Sequence, residues 1–195
     1  PYDYHADKPD DTVGLAHVAN LIRACRKDPT PSLLLDNGDF LQGTLLTEIV
    51  AGWQGAQPCP DNPIIAAMNA LEYDAAGLGN HEFNFGLDYL QDAISAADFP
   101  VISANVLDVT TSQPAPLTAP WTILERSLAG GPDGKRPIRI GVIGFTPPQV
   151  SEWDSLYLDG RIETTDILDA ARATLPALRA AGADIVIALC HGGLG

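Results

Sequence analysis

Three apolar runs in this chain each end in an Asp, Asn or His, and that repetition constrains the fold more than any other feature. Leu33-Leu34-Leu35 feeds Asp36-Asn37-Gly38-Asp39. Residues 73–78 feed Gly79-Asn80-His81-Glu82, and residues 185–190 feed His191-Gly192-Gly193. Short apolar runs bounded by turn signals read as buried strands. Helical patterns lie between them, and alternation of this kind predicts an α/β sheet. Ligands of open α/β sheets bind at the carboxyl ends of the strands. Oxygen and imidazole donors delivered to that edge suggest a divalent cation site.

The intervening patterns are specific enough to place. A helix is expected over residues 12–27, with Leu15, Val18, Ala19, Ile22 and Cys25 as one apolar stripe and Asp11 or Thr12 as its cap. Residues 45–51 read as helical. Asp61 or Asn62 caps a further helix that has Pro63 at its first position and turns Ile64, Ile65, Met68 and Leu71 inward. Leu87, Leu90 and Ile94 mark a helix after the Gly-Asn-His-Glu turn, and residues 99–104 a strand. Residues 110–120, rich in Thr and Pro, read as a surface loop. Residues 121–128 and 138–145 read as paired strands joined through Gly130-Gly131-Pro132-Asp133-Gly134. A helix over 165–181, bent at Pro176, places Leu168, Ala171, Leu175 and Leu178 on one side; a last strand covers 184–190. This order predicts one mixed sheet, or two sheets packed face to face with helices outside.

At 195 residues the chain is long enough for one domain with a real core. Its 11 basic and 25 acidic residues give a net charge of −14. That argues against a nucleic-acid polymer or an anionic membrane as partner, because both demand basic patches. An anionic small molecule would need metal ions to reverse the local field. Cys25, Cys59 and Cys190 form no C-x-x-C pair; Cys25 and Cys190 are expected as buried packing residues, and nothing requires a disulfide to Cys59. No signal peptide or apolar run of membrane-spanning length is visible. Neither a G-x-x-x-x-G-K-[ST] phosphate loop nor a G-x-S-x-G elbow occurs, and Gly141-Val142-Ile143-Gly144 reads as buried strand rather than a dinucleotide turn. The chain opens on Pro1 and ends at Gly195, just past the third candidate ligand, so it is expected to be part of a longer domain.

Each candidate residue carries two readings. Asp39 is a carboxylate able to bridge two cations, or a turn Asp that caps the next helix. Asn80 offers a neutral amide oxygen to a hard cation. His81 can act as an acid or hold a phosphoryl oxygen, with Glu82 orienting its ring. The bland alternative is an Asn-capped turn beside a buried His. His191, next to two glycines, reads as a neutral imidazole ligand. His17 is expected in solvent, and His5 gains no support from a motif.

The stretches Gly38-Asp39-Phe40-Leu41-Gln42-Gly43, Gly77 to Leu90 and Ala188-Leu189-Cys190-His191-Gly192-Gly193-Leu194 resemble the calcineurin-like metallophosphoesterases. Within them the chain is most similar to the 5′-nucleotidase relatives of the 2′,3′-cyclic-nucleotide 2′-phosphodiesterase/3′-nucleotidase branch. The resemblance extends over essentially the whole chain, including Ile143 to Gln149 and Trp153-Asp154, where the family has no catalytic residue. It implies a four-layer α/β/β/α sandwich with mixed sheets, here truncated at both ends. It also implies two divalent ions, with Mn²⁺, Zn²⁺, Fe²⁺ and Mg²⁺ all compatible. By motif, Asp39 corresponds to the carboxylate bridging both metals. Asn80 and His191 correspond to ligands of the second metal, and His81 to the catalytic His. 5′-Nucleotidases place an Asp three residues after that His; here the position is Asn84, which is assigned with His81 to the catalytic machinery and fits the cyclic-phosphodiesterase branch. The family's Asp-x-His and Gly-His-x-His motifs and its C-terminal nucleotide-binding domain are not in this sequence, so this segment alone is expected to be weak or inactive. The implied substrates are 2′,3′-cyclic nucleotides and 3′-nucleotides, and the implied location is the periplasm or the exterior. The alternatives are a 5′-nucleotidase or UDP-sugar hydrolase, and a non-catalytic binding module on the same scaffold.

Overall fold

The computed structural model describes residues 2–3, 6–10, 12, 14–54, 62–130, 134–158 and 160–193. The chain divides into two compact units, Pro1–Ser32 and Leu33–Gly195. The first unit holds an antiparallel pair, β1 (Tyr2–Asp3) with β2 (Lys8–Pro9), and the helix α1 (Leu15–Cys25). The helix starts later than its sequence suggests, behind Gly14, which supplies no side-chain cap. Thr12 is drawn elsewhere: its N–H and its hydroxyl both donate to Asp10 Oδ1. Within the expected stripe Ala19 is buried, but Val18 and Cys25 are exposed. A segment this short has too little surface of its own to hide a whole helix face. His17 is exposed, as expected. Asp11, Asp61, His5 and Cys59 lie outside the described residues.

The second unit begins with β3 (Leu35–Asp36), α2 (Leu45–Gln54), α3 (Pro63–Ala70) and β4 (Ala75–Gly77). After a single 3₁₀ turn (His81–Phe83) come α4 (Leu87–Ser95), β5 (Val101–Ile102) and β6 (Val106–Asp108). The chain then forms β7 (Trp121–Ala129), β8 (Lys135–Phe145), α5 (Val150–Trp153), β9 (Ile162–Thr164), α6 (Ile167–Ala180) and β10 (Ile185–Cys190). Asn62 caps α3 by accepting from the N–H groups of Ile64 and Ile65, ahead of Pro63. Asp166 caps α6 in the same way through Leu168 and Asp169.

One sheet is parallel, in the order β3-β4-β5, with Leu35 opposite Ala75 and Ala76 opposite Val101. The other is mixed, in the order β10-β8-β7. There β10 runs parallel to β8, from Ile185 opposite Ile140 to Cys190 opposite Phe145, while β7 and β8 form the expected hairpin. The residues 131–133 of its turn lie outside the described set, but Gly130 N–H reaches Gly134 O across the turn at 3.3 Å. A small antiparallel pair, β6 with β9, completes the strands.

Three apolar clusters define the layers. Ile65 and Met68 of α3 and Leu90 and Ala93 of α4 pack with Ala76, Leu78 and Val101 of the parallel sheet. Ile102, Ile140, Val142 and Leu189 fill the space between the two sheets. Ala170 and Leu178 of α6 pack on Ile143 and Phe145 of the mixed sheet. The order is α/β/β/α, as the resemblance implied. The two sheets come close at Gly144, where a Cβ would lie 2.3 Å from Ile102 O.

Four expectations change. Cys190 is exposed, at the end of β10, which among the described residues is an edge strand of its sheet. Leu168 is also exposed: Ala171, Leu175 and Leu178 lie on the packed face of α6 as expected, but Ile167 and Ala170 complete it in place of Leu168. The strands expected at 73–78 and 99–104 narrow to Ala75–Gly77 and Val101–Ile102. Finally, the loop at 110–120 lies at the surface as expected except at Ala115, which is fully buried with its N–H on Val106 O.

Candidate active site

The carboxyl ends of β3, β4 and β10 meet at one edge of the second unit. A polar network, buried at Thr146 and Asn105 and exposed at Asn37, fixes them there. Thr146, just past β8, donates its hydroxyl to Leu78 O at the end of β4 (3.1 Å), and its N–H bonds Asn105 Oδ1 (2.8 Å). Asn105 in turn donates to the carbonyls of Thr146 and Thr165. Asn37 Nδ2 reaches Cys190 O at 3.2 Å, tying the end of β3 to the end of β10. Because buried polar groups are costly unless paired, a fully paired network leaves these strand ends little freedom to shift.

Glu82 organises the loops themselves. Its carboxylate is fully buried and accepts four backbone N–H bonds: from Asp39 (2.8 Å), Phe40 (2.7 Å), Leu41 (3.2 Å) and Gly79 (2.7 Å). Burial pushes this carboxyl above its ordinary range, against the N–H bonds that pull it down. The expectation that Glu82 orients the His81 ring is therefore replaced. Its oxygens are taken by the backbone, and it clamps the loop after β3 to the turn after β4. That clamp holds Asp39 in a left-handed conformation (φ 68°), which is uncommon for a non-glycine residue.

Asp39 stands at the centre. Its Oδ1 accepts the N–H of His81 at 3.0 Å, and its Oδ2 faces His191 Nε2 at 3.1 Å. His191 Nδ1 lies 2.7 Å from Asn37 O, and a carbonyl can only accept, so Nδ1 carries a proton. In a neutral ring the Nε2 lone pair then points at a carboxylate oxygen. Two acceptors face each other, an arrangement relieved by a shared proton or by a cation. Protein metal ligands commonly present imidazole in this way, with the far nitrogen on a carbonyl. Gly79 leaves room for the contact: a Cβ there would lie 2.2 Å from Asp39 Oδ1 and 2.8 Å from His191 Cε1.

Asn80 opens the 3₁₀ turn, yet its side chain makes no capping hydrogen bond. The capped-turn alternative has no support in its contacts, and the amide is left for a ligand. Carboxylate, imidazole and amide together suit a hard or borderline divalent cation. Among the described residues no group of three or more His, Cys, Asp and Glu forms a metal cluster, so a cation here would also depend on Asn80.

His81 is exposed on the same rim. Its Nδ1 lies 2.6 Å from Gln42 Oε1 and 2.6 Å from Asn84 Oδ1. Each amide has its nitrogen on a carboxylate: Gln42 Nε2 on Glu48 (3.2 Å) and Asn84 Nδ2 on Asp154 (2.5 Å). With two acceptors before it, Nδ1 is a donor, and Nε2 remains for a substrate. Sequence reasoning singled out Asp39, Asn80, His81, Asn84 and His191. It missed Gln42, Asp154 and Thr146 and misread the role of Glu82. Gln42 and Asp154 both lay in stretches that carry the resemblance, but nothing local tied Asp154 to Asn84, seventy residues away.

No family model matches the chain. The trifunctional nucleotide phosphoesterase protein YfkN of Bacillus subtilis (strain 168) is 43% identical over 196 residues, which is 99% of this chain and 13% of that protein. The crystal structure of calcineurin-like phosphoesterase YfkN from B. subtilis has a TM-score of 0.87 at 42% identity, covering 100% of this chain and 58% of that one. The chain is homologous to the calcineurin-like phosphoesterases. A 2′,3′-cyclic-nucleotide 2′-phosphodiesterase/3′-nucleotidase of Haemophilus influenzae is 42% identical over 98% of this chain and 29% of its own length. The crystal structure of a 5′-nucleotidase precursor from Thermus thermophilus is more distant, at a TM-score of 0.72 and 29% identity over 92% of this chain and 32% of that one. The chain thus spans less than a third of the length of the curated relatives it matches. Among the described residues no helix is long and apolar enough to cross a membrane.

Proposed function

We propose that the protein hydrolyses phosphoesters of nucleotides, with 2′,3′-cyclic nucleotides and 3′-nucleotides as substrates and divalent cations as cofactors. The observation that carries this reading is the meeting of Asp39 Oδ2 with His191 Nε2 at 3.1 Å, beside a histidine whose Nε2 is left for substrate. The activities for which the H. influenzae and B. subtilis relatives are named support the same substrate class.

Asp39, Asn80 and His191 would hold the cation. When bound, divalent ions would neutralise the phosphoryl charge and lower the pKa of the attacking water. The chain's own residues do the rest. With a net charge of −14 the protein does not attract a phosphate by its overall field, so the cation ligands set where the phosphoryl group lies. His81 donates its Nε2 proton to the leaving ribose oxygen, while Gln42 and Asn84 accept from Nδ1–H and fix the orientation of the ring. Glu82 keeps Asp39 and the His81 turn in register throughout. Mn²⁺, Zn²⁺, Fe²⁺ and Mg²⁺ all suit such donors. An extracytoplasmic location, periplasmic or secreted, belongs to this reading and is supported by the precursor form named for the T. thermophilus neighbour.

The test is turnover of 2′,3′-cAMP, 3′-AMP and 5′-AMP by the full-length protein with Mn²⁺. Hydrolysis of the first two, faster than the third, is expected. Preference for 5′-AMP would move the protein to the 5′-nucleotidases, and no hydrolysis of any would overturn the reading.

A further inference from the structure

We infer that Asp154 is a positioning residue for His81, acting through Asn84, and this inference rests on the catalytic role proposed for His81. The chain runs inward from the exposed His81, from Nδ1 to Asn84 Oδ1 at 2.6 Å, then from Asn84 Nδ2 to Asp154 Oδ1 at 2.5 Å. Asp154 follows α5 and is 3% exposed, seventy residues from Asn84 in sequence.

An asparagine amide has two ends of nearly the same shape, and shape alone does not decide which end meets the histidine. With its nitrogen turned toward His81, Asn84 would demand an acceptor at Nδ1 and send the ring proton to Nε2. An ionised carboxylate only accepts. In that flipped state Asn84 Oδ1 would face Asp154 Oδ1, acceptor against acceptor. Asp154 therefore selects the orientation in which Oδ1 faces His81, and so keeps the proton on Nδ1. The second arm, Gln42 on Glu48, is longer at 3.2 Å and ends on an exposed carboxylate, so it is the weaker latch. Where 5′-nucleotidases set an Asp next to the catalytic His, this chain keeps a neutral amide there and moves the carboxylate one hydrogen bond outward.

A purely structural Asp154, fastening α5 to the 3₁₀ turn, would predict something different, and leaving-group dependence separates the two roles. The full-length protein with Mn²⁺ is assayed on 3′-AMP, whose ribose oxygen needs a proton to leave, and on p-nitrophenyl phosphate, whose phenolate does not. Asp154→Ala is expected to lower kcat on 3′-AMP about 10- to 100-fold, a part of what a general acid contributes. KM for 3′-AMP, Mn²⁺ affinity by calorimetry and turnover of p-nitrophenyl phosphate should stay near wild type. Equal losses on both substrates would overturn the inference while leaving the nucleotidase reading intact. A wild-type protein inactive on both would instead overturn that reading. Asn84→Asp, which sets two carboxylates against each other, should be slow on 3′-AMP. The exchange Asn84→Asp with Asp154→Asn restores donor and acceptor in reversed order and should recover most of the activity. A double variant no faster than Asn84→Asp would also sink the inference.

Discussion

His81 and His191 both follow strands at the same edge, and both are bound to Asp39, one through its backbone and one through its ring. What separates them is the partner of Nδ1. His191 gives that proton to a backbone carbonyl, Asn37 O, which neither moves nor titrates, and its Nε2 is aimed at a carboxylate. His81 gives it to two side-chain amides, each steered by a carboxylate behind it. A rigid carbonyl suits a ring that must stay a neutral ligand. Polar side chains suit a ring that must carry charge in passing. Under the function proposed above, the same residue type holds in one place and transfers a proton in the other.

The largest effect expected from this contrast is on turnover. His81→Ala should lower kcat on 3′-AMP by about 10² to 10⁴, the range of a lost general acid, with Mn²⁺ affinity unchanged in calorimetry. His191→Ala should do the reverse first, weakening Mn²⁺ binding. Two variants that lose metal and activity in equal proportion would erase the distinction drawn between the histidines.

Glu82→Gln attacks what the two sides share. The amide nitrogen of Gln would confront N–H groups that now meet a carboxylate, in a site with no solvent. Hydrogen bonds to charged groups contribute about 1.5–3 kcal/mol each, so a loss of about 3 kcal/mol or more in urea unfolding is expected. Mn²⁺ uptake should fall with it. Native stability in this variant would show that the loops hold without the clamp.

Gly79→Ala sharpens the comparison from the other direction, because its Cβ would enter the space between Asp39 and His191 and not the space beside the His81 ring. Displacing those groups is expected to weaken Mn²⁺ binding by about 10- to 100-fold, read by calorimetry. Wild-type affinity would mean that the two side chains do not share a cation.

Much of this was legible in the order of residues. Apolar runs ending in Asp39, Asn80 and His191 announced both the strands and the edge at which they open, because burial and turn chemistry are local signals. Asn62 before Pro63 gave a helix start for the same reason. The long-range pieces were not legible. Nothing near Glu82 says that its oxygens will collect N–H groups from residues 39–41, forty or more positions away. Nothing near Trp153-Asp154 points to Asn84. Cys190 and Leu168 misled for a related reason: an apolar residue records that it can be buried, whereas the edge position of β10 and the exact face of α6 are settled by tertiary packing.

The smallest effect concerns stability at Asp154, and it runs opposite to the kinetic one. Burial raises this carboxyl above its ordinary value of 3.8, while the Asn84 bond and the nearby His81 pull it down by less. The folded protein therefore holds that proton more tightly than the unfolded chain does. Stability falls as pH rises through the window from 3.8 to the raised value, and above it the ionised carboxylate is a fixed burden. Asp154→Asn removes the titration. It should melt above wild type at about pH 7, with the gap closing as pH is lowered toward 4, even as its looser amide latch slows 3′-AMP hydrolysis. A gap of constant size across that range would mean that Asp154 ionises as freely in the fold as outside it. A carboxylate kept at some cost to stability, at the far end of a bond to the amide beside His81, is what a residue retained for catalysis rather than for folding should look like.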